Sequence, residues 1–275
     1  MIPSKAPPDD LLGRFREVIS DPLNLLIERV PMAGVVEGNH VYLHNGNRVP
    51  LTGTGAYYGP FSQLLVINRG VHEPLEEYVF QQLLKVLGEA PAMLELGAYW
   101  GHYSMWLKKA KPQSTVILVE PDVVNMTTGV SNFKTNGLTG EFIRSSVGRD
   151  HLQVDSFRSE RQLDRLDVLH VDIQGNELEM IEGCSRTLSE RRVDYLFIST
   201  HSQTLHERVV MEMVRFGYRV EVSSDFDHET TSHDGLVFAS NPDAVQIFKG
   251  FKPIGRVGIT QSSPQDLLKA VSEIE

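Results

Sequence analysis

The run Met93-Leu94-Glu95-Leu96-Gly97-Ala98-Tyr99-Trp100-Gly101 joins an apolar stretch of strand character to a Gly-x-x-x-Gly turn that opens a helix. Ligands of open α/β sheets sit outside the carboxyl ends of the strands, and glycines there let the backbone approach a ligand with no side chain between. The helix start is also a place to receive a carboxylate. A second apolar stretch, Val116-Ile117-Leu118-Val119, ends in Glu120, nineteen residues after Gly101. A carboxylate there can accept both hydroxyls of a ribose. Taken as an ordered set, these residues predict a nucleotide-type site. Taken singly, the glycines shape a tight turn and Glu120 is a solvated strand end.

A dinucleotide fingerprint would require Gly-x-Gly-x-x-Gly. Here Tyr99 and Trp100 fill the turn, and Ser104 stands where a third glycine is expected. A pyrophosphate would be crowded, whereas S-adenosylmethionine carries none.

Two further strand ends carry groups able to handle an acceptor. Asp172 follows Asp167-Val168-Leu169-His170-Val171, and its carboxylate can orient an acceptor or coordinate a cation; the alternative is a cap for the helix beginning near Asn176. His201 follows Tyr195-Leu196-Phe197-Ile198-Ser199-Thr200 and should emerge on the same rim. It is the expected general base, against the alternative of bonding the loop or helix that follows. His233 and Asp234 are lesser candidates for support or metal binding. Asp172, His201 and Asp234 together would make an oxygen- and nitrogen-rich cation site, but the metal stays uncommitted. His170 lies inside a strand, where packing is the default, while His102 could line the donor pocket. Glu177 and Glu179 favour a helix dipole, and Glu177 can also hold the preceding loop. Tyr57, Tyr58 and Phe61 either close over an acceptor or pack onto the core.

These groups need elements to hold them. Leu75, Val79, Leu83 and Leu87 recur every four positions and predict a helix over 75–88, stopped by Gly88 and Pro91. Strands over 92–96, 115–120, 140–146, 167–172 and 194–200 then alternate with helices over 100–110, 123–135, 176–188 and 203–216. Such alternation implies a parallel sheet covered on both faces. The apolar runs 218–223 and 235–239 suit a closing hairpin at the sheet edge. Before residue 70 the expectation is a helix over 10–19, then turn-rich chain with short strand pieces such as His40–Leu43. A short amphipathic helix is expected over 263–274. Three units result: an extension over 1–70 that covers or completes the site, a catalytic domain over 71–249, and a tail over 250–275.

The 275 residues are 41% hydrophobic and 23% charged, enough for a packed core. A formal charge of -10 argues against a general affinity for nucleic acid or anionic membranes, and a small or uncharged partner fits better. Cys184 is the only cysteine, so no intrachain disulfide can form; it reads as a small core residue in a reducing cytoplasm. Residues 1–10, MIPSKAPPDD, lack the pattern of a secretory signal, and no stretch approaches the length of a membrane span.

From about Gly70 to Ser240 the chain resembles the FkbM family of methyltransferases. The likeness rests on Gly70-Val71-His72-Glu73-Pro74, on Glu95 to Gly101, on Glu120-Pro121 leading to Asn132 and Asn136, and on Asp172-Ile173-Gln174-Gly175-Asn176-Glu177. It implies a Rossmann-like seven-stranded methyltransferase sheet with helices on both faces and an N-terminal elaboration. It also implies S-adenosylmethionine as cofactor, held by Glu95, Gly97, Tyr99, Gly101, Glu120 and Asp172, with Glu73 and Asn136 as further pocket residues. O-methylation of a hydroxyl on a small molecule, natural product, sugar or glycan is the implied reaction. Glu95, Tyr99, Gln174 and Ser199 depart from the family's more usual Asp, Asn, Glu and Glu.

Methyl transfer is an in-line displacement at a sulfonium, so positioning is the main demand. A hydroxyl acceptor must also lose its proton, the role expected of His201, with Asp172 positioning the acceptor. The rival expectations are an N-methyltransferase, a non-catalytic adenosylmethionine-binding or scaffold protein, and a nicotinamide-dependent oxidoreductase.

Overall fold

The structure is a computed structural model that describes residues 11–274. The reading of MIPSKAPPDD, and the first residue of the helix expected over 10–19, lie outside the described residues. The chain begins with α1 (Leu11–Ser20), followed by a small antiparallel sheet of β1 (Val36–Glu37), β2 (His40–Tyr42) and β3 (Arg48–Pro50). Next come α2 (Leu64–Ile67), α3 (Pro74–Val86), β4 (Ala92–Leu96), α4 (His102–Ala110), β5 (Thr115–Val119), α5 (Val123–Thr135) and β6 (Glu141–Ile143). The second half runs α6 (Val154–Glu160), β7 (Leu166–Val171), α7 (Glu177–Glu182), α8 (Ser185–Ser189), β8 (Val193–Thr200), α9 (Gln203–Arg215), β9 (Arg219–Ser224) and β10 (Gly235–Ser240). Two short helices, α10 (Arg256–Gln261) and α11 (Pro264–Ser272), close the described chain.

The large sheet has the order β6-β5-β4-β7-β8-β10-β9. Its pairings are parallel except at β10, which runs antiparallel to both neighbours. The expected closing hairpin is therefore present, with its second strand inserted inside its first. Side chains alternate faces along a strand. Met93, Val116, Leu118, Val168, Phe197 and Phe238 pack on one side with α3, α4 and the N-terminal segments. Leu94, Leu96, Ile117, Leu169, Ile198 and Val237 pack on the other with α6 to α9. Burial of both faces explains the nearly unbroken apolar strands.

The departures from expectation have local causes. Tyr99 and Gly101 have left-handed φ of 48° and 80°, so α4 starts at His102 rather than at residue 100. The helix expected over 176–188 breaks at Gly183 and Cys184 into α7 and α8. Only three residues of 140–146 pair as a strand. Cys184 is fully buried and burial pushes its thiol up, as a core residue rather than a nucleophile requires. No helix among the described residues is long and apolar enough to cross a membrane.

Candidate active site

The chain switches direction in the sheet between β4 and β7, and the candidate site lies outside the carboxyl ends of these two strands. Gly97 has a φ of 75°, and a Cβ built on it would lie 1.6 Å from the carbonyl oxygen of Asp172. The two strand ends meet this closely only because residue 97 has no side chain. Gly101 serves packing instead: a Cβ there would meet Leu118 and Phe133 at 3.1 Å.

At the end of β5, Glu120 is buried and already oriented. Its Oε2 accepts from the Tyr99 backbone N–H at 2.9 Å, and its Oε1 accepts from Asp122 N–H at 2.9 Å. Glu120 lines a cavity of about 400 Å³ together with Gly97, Tyr99, Asn125, Ser146 and Asp172. That volume suits a small-molecule ligand. Each Glu120 oxygen has a lone pair left for a ribose hydroxyl. Asn125 and Ser146 were not anticipated, since neither stands in a distinctive sequence setting.

A second, tighter cavity of about 40 Å³ adjoins the first, sharing Tyr58, Gly97, Tyr99 and Asp172 with it, and is further lined by Glu73 and Asp234. Tyr99 Oη accepts from the Tyr58 backbone N–H at 3.2 Å, which ties the N-terminal loop to the glycine turn. Of the three aromatic residues in that loop, Tyr57 and Phe61 are buried while Tyr58 remains exposed. The cavity is carboxylate-rich. Burial pushes Glu73 up to about 7, against the pull of His72, and its Oε2 accepts from the Tyr103 hydroxyl at 2.9 Å. Burial also pushes Asp234 up to about 8, opposed by His201 and reinforced by Asp172.

His201 does emerge beside Asp172, and three carboxylates surround its ring. Its Nε2 lies 3.1 Å from Asp172 Oδ1 and 3.5 Å from Asp234 Oδ1, and its Nδ1 lies 2.9 Å from Glu177 Oε1. Burial works against the charged ring, yet contacts with Asp172 and Glu177 and the charge of Asp234 lift it to about 10. A ring held in its charged form has protons on both nitrogens and no lone pair to take one from an acceptor. Asp172, His201 and Asp234 also converge closely enough to surround a cation in place of that proton.

The other sequence candidates divide. Asp172 does not cap α7, whose N-cap Asn176 makes no side-chain cap bond; its Oδ1 accepts from Gln174 Nε2 at 3.1 Å. Glu177 does hold the preceding loop, accepting from Gly175 N–H at 3.2 Å. Glu95 is buried and accepts from Ser104 N–H at 3.3 Å, so the start of α4 takes a carboxylate from the protein itself. Asn136 is drawn away from the pocket: its side chain brackets Arg48, accepting from its N–H at 2.8 Å and donating to its carbonyl at 2.9 Å. Asn132 donates to the Trp100 carbonyl at 3.1 Å and steadies the turn. His170 is a core residue, 2.6 Å from Glu76. Ser199 also donates to Glu76, at 3.4 Å.

The sequence profile of the methyltransferase FkbM domain matches residues 55–220, more than half of the chain. The chain belongs to the FkbM methyltransferase family. The family match spans Tyr58, Glu73, the glycine turn, Glu120, Asp172 and His201; Asp234 lies beyond it. No curated protein sequence matches the chain. Among solved structures, this FkbM-family chain is similar to M. capricolum TrmK in complex with S-adenosyl-homocysteine, at 11% identity over 71% of this chain and 82% of that one, with a TM-score of 0.44. It is also similar to a precorrin-6y C5,15-methyltransferase from Geobacter metallireducens, at 14% identity over 59% and 87%, with a TM-score of 0.43. A third is Aeropyrum pernix fibrillarin with natively bound S-adenosyl-L-methionine, at 16% identity over 58% and 73%, with a TM-score of 0.42.

Proposed function

We propose that this FkbM-family chain transfers a methyl group from S-adenosylmethionine to a hydroxyl of a small molecule, natural product or sugar. The observation that carries the reading is the pair of adjoining cavities: one presents Glu120, the other presents carboxylates raised toward neutrality, and Gly97, Tyr99 and Asp172 line both. The larger cavity has the volume and the strand-end acid that a nucleoside-containing donor requires. When bound, the donor supplies an electrophilic methyl group.

The residues around it do the rest. Glu120, fixed by two backbone N–H groups, holds the ribose. Asp172 stands where the two compartments meet and orients the acceptor hydroxyl. Asp234, raised to about 8, receives its proton, because a base is most effective when its pKa lies near the working pH. His201 is a positioning residue whose charge holds Asp172 and Asp234 together. The smaller cavity has room for only a few waters, so the acceptor enters as the Tyr58 loop gives way. With a formal charge of -10 on the chain and acids in this compartment, a neutral acceptor is favoured over an anionic one. The single buried thiol suits a reducing compartment, and we assign the protein to the cytoplasm.

Calorimetric titration with S-adenosylhomocysteine, with NAD as competitor, tests the donor half. Micromolar binding that NAD leaves untouched supports it; no binding to folded protein sinks the reading. A screen of hydroxylated and aminated acceptors by mass spectrometry of the products then tests the chemistry, and exclusive methylation of amines would overturn the O-methyl assignment.

A further inference from the structure

Beneath the smaller cavity, which His102 also lines, a second set of titratable side chains is buried. His44 follows β2 in the small N-terminal sheet, Glu77 sits on α3, and His102 is the first residue of α4. All three are buried, at 1%, 0% and 2% exposure, and one donor atom from each lies within 4.8 Å of the others.

The bonding around Glu77 is lopsided. Its Oε1 accepts from the backbone N–H groups of His72 at 3.0 Å and Glu73 at 3.3 Å, and lies 2.6 Å from His72 Nδ1. Its Oε2 has no hydrogen-bond partner, although it is buried, and His44 Nε2 stands 3.2 Å from it. His102 Nε2 lies 3.7 Å from Glu77 Oε1, and neither of its ring nitrogens makes a hydrogen bond. Polar atoms this deeply buried are almost always satisfied, so unpartnered atoms from three elements facing one point call for a ligand.

We propose that His44, Glu77 and His102 form a buried site for one divalent transition-metal ion, zinc by the choice of donors, which clasps the N-terminal sheet to the methyltransferase core. Two imidazoles and a carboxylate are a donor set that zinc accepts, and bonds of about 2.0–2.1 Å put tetrahedral ligand atoms about 3.3 Å apart, against 3.2 Å from His44 Nε2 to Glu77 Oε2 and 3.7 Å from His102 Nε2 to Glu77 Oε1. Ligand carboxylates and imidazoles are usually oriented by an outer ring of partners. Here His72 and two backbone amides fix Glu77. The Trp106 ring meets His44 edge-on at 4.3 Å, and Trp100 stacks on His102 at 5.5 Å.

The test is the metal content of untagged full-length protein from zinc-supplemented cells, followed by cobalt(II) substitution. About one zinc per chain is expected, with intense visible bands of tetrahedral cobalt after exchange. Both should disappear in His44→Asn and His102→Gln and persist in Asp234→Asn, which leaves this cluster intact. Wild-type protein with less than about a tenth of an equivalent of metal, and no cobalt bands after refolding in excess cobalt(II), overturns the proposal. So does metal lost in Asp234→Asn but kept in His102→Gln, which would move the ion to the rim. Should both histidine variants fail to fold, wild type and Asp234→Asn still decide the matter.

Discussion

The backbone amide of Tyr99 donates to the Glu120 carboxylate at 2.9 Å, so the turn after β4 and the acid at the end of β5 form one hydrogen-bonded unit. The acid is thus oriented before any ligand arrives, which lowers the ordering cost of binding. The left-handed conformation of Tyr99, at a φ of 48°, turns the chain after this amide toward α4.

Replacing Glu120 by Ala should therefore weaken S-adenosylhomocysteine binding about 10- to 100-fold, the loss expected when hydrogen bonds to a charged group disappear. Calorimetry on wild type and variant checks this. An unchanged Kd would mean that the ribose is held elsewhere.

Methyl transfer should rise with pH through about 8. Asp234 acts only when deprotonated, its folded pKa is raised, and so the rate falls about tenfold per unit below that value. Asp234→Asn should lower kcat about 100- to 1,000-fold and flatten the profile. In His201→Gln the opposing positive charge is gone, so the midpoint should move upward while donor affinity stays unchanged. A profile in His201→Gln identical to wild type would show that His201 does not act through Asp234.

Much of this architecture can be read from residue order, but the chemistry of the rim can be read only in part. Helix α5 matches its expected bounds because Asp122 caps it, accepting from Val124 and Asn125 N–H. The seven residues of α6 carry too short a period to be seen. The strand ends at Glu120, Asp172 and His201 follow from apolar runs and one polar terminus. The upward pull on the His201 ring follows only in part, because Glu177, which joins Asp172 and Asp234 beside it, is brought there by tertiary folding alone. The same holds for His44, Glu77 and His102: no local spacing links them, and Glu77 looks like an ordinary first-turn helix acid.

Gly97→Ala should destabilise the protein by about 4 kcal/mol or more, since a Cβ would overlap the Asp172 carbonyl and the left-handed φ would be strained as well. Gly88→Ala is the control. Nothing lies within 4 Å of its added Cβ, and the change should stay within about 0.5 kcal/mol. Urea unfolding of both variants measures the contrast, and equal stabilities would refute the close-contact argument.

Asp21 supplies a stability signature in pH. It is buried, accepts from Leu23 N–H at 2.8 Å and from the Thr231 hydroxyl, and burial pushes it up to about 6 from an ordinary 3.8. A carboxyl raised in the folded state stabilises fully below its unfolded value, and that contribution is lost as pH rises through the folded one. Wild type should lose about 2 kcal/mol relative to Asp21→Asn between about pH 4 and pH 7. Parallel stability curves for the two proteins would contradict this.

The insertion of β10 between β8 and β9 sets an order of events during synthesis. The chain makes β8 some forty residues before β10, so a nascent β8 presents a row of unpaired amides and carbonyls, with Phe197 and Ile198 on its two faces. Open edges of this kind invite pairing with other chains. The residues that close the edge, Gly235–Ser240, directly follow Asp234. A chain interrupted before that point thus lacks both the last carboxylate of the rim and protection against aggregation, so completion of the site and solubility of the nascent protein arrive together.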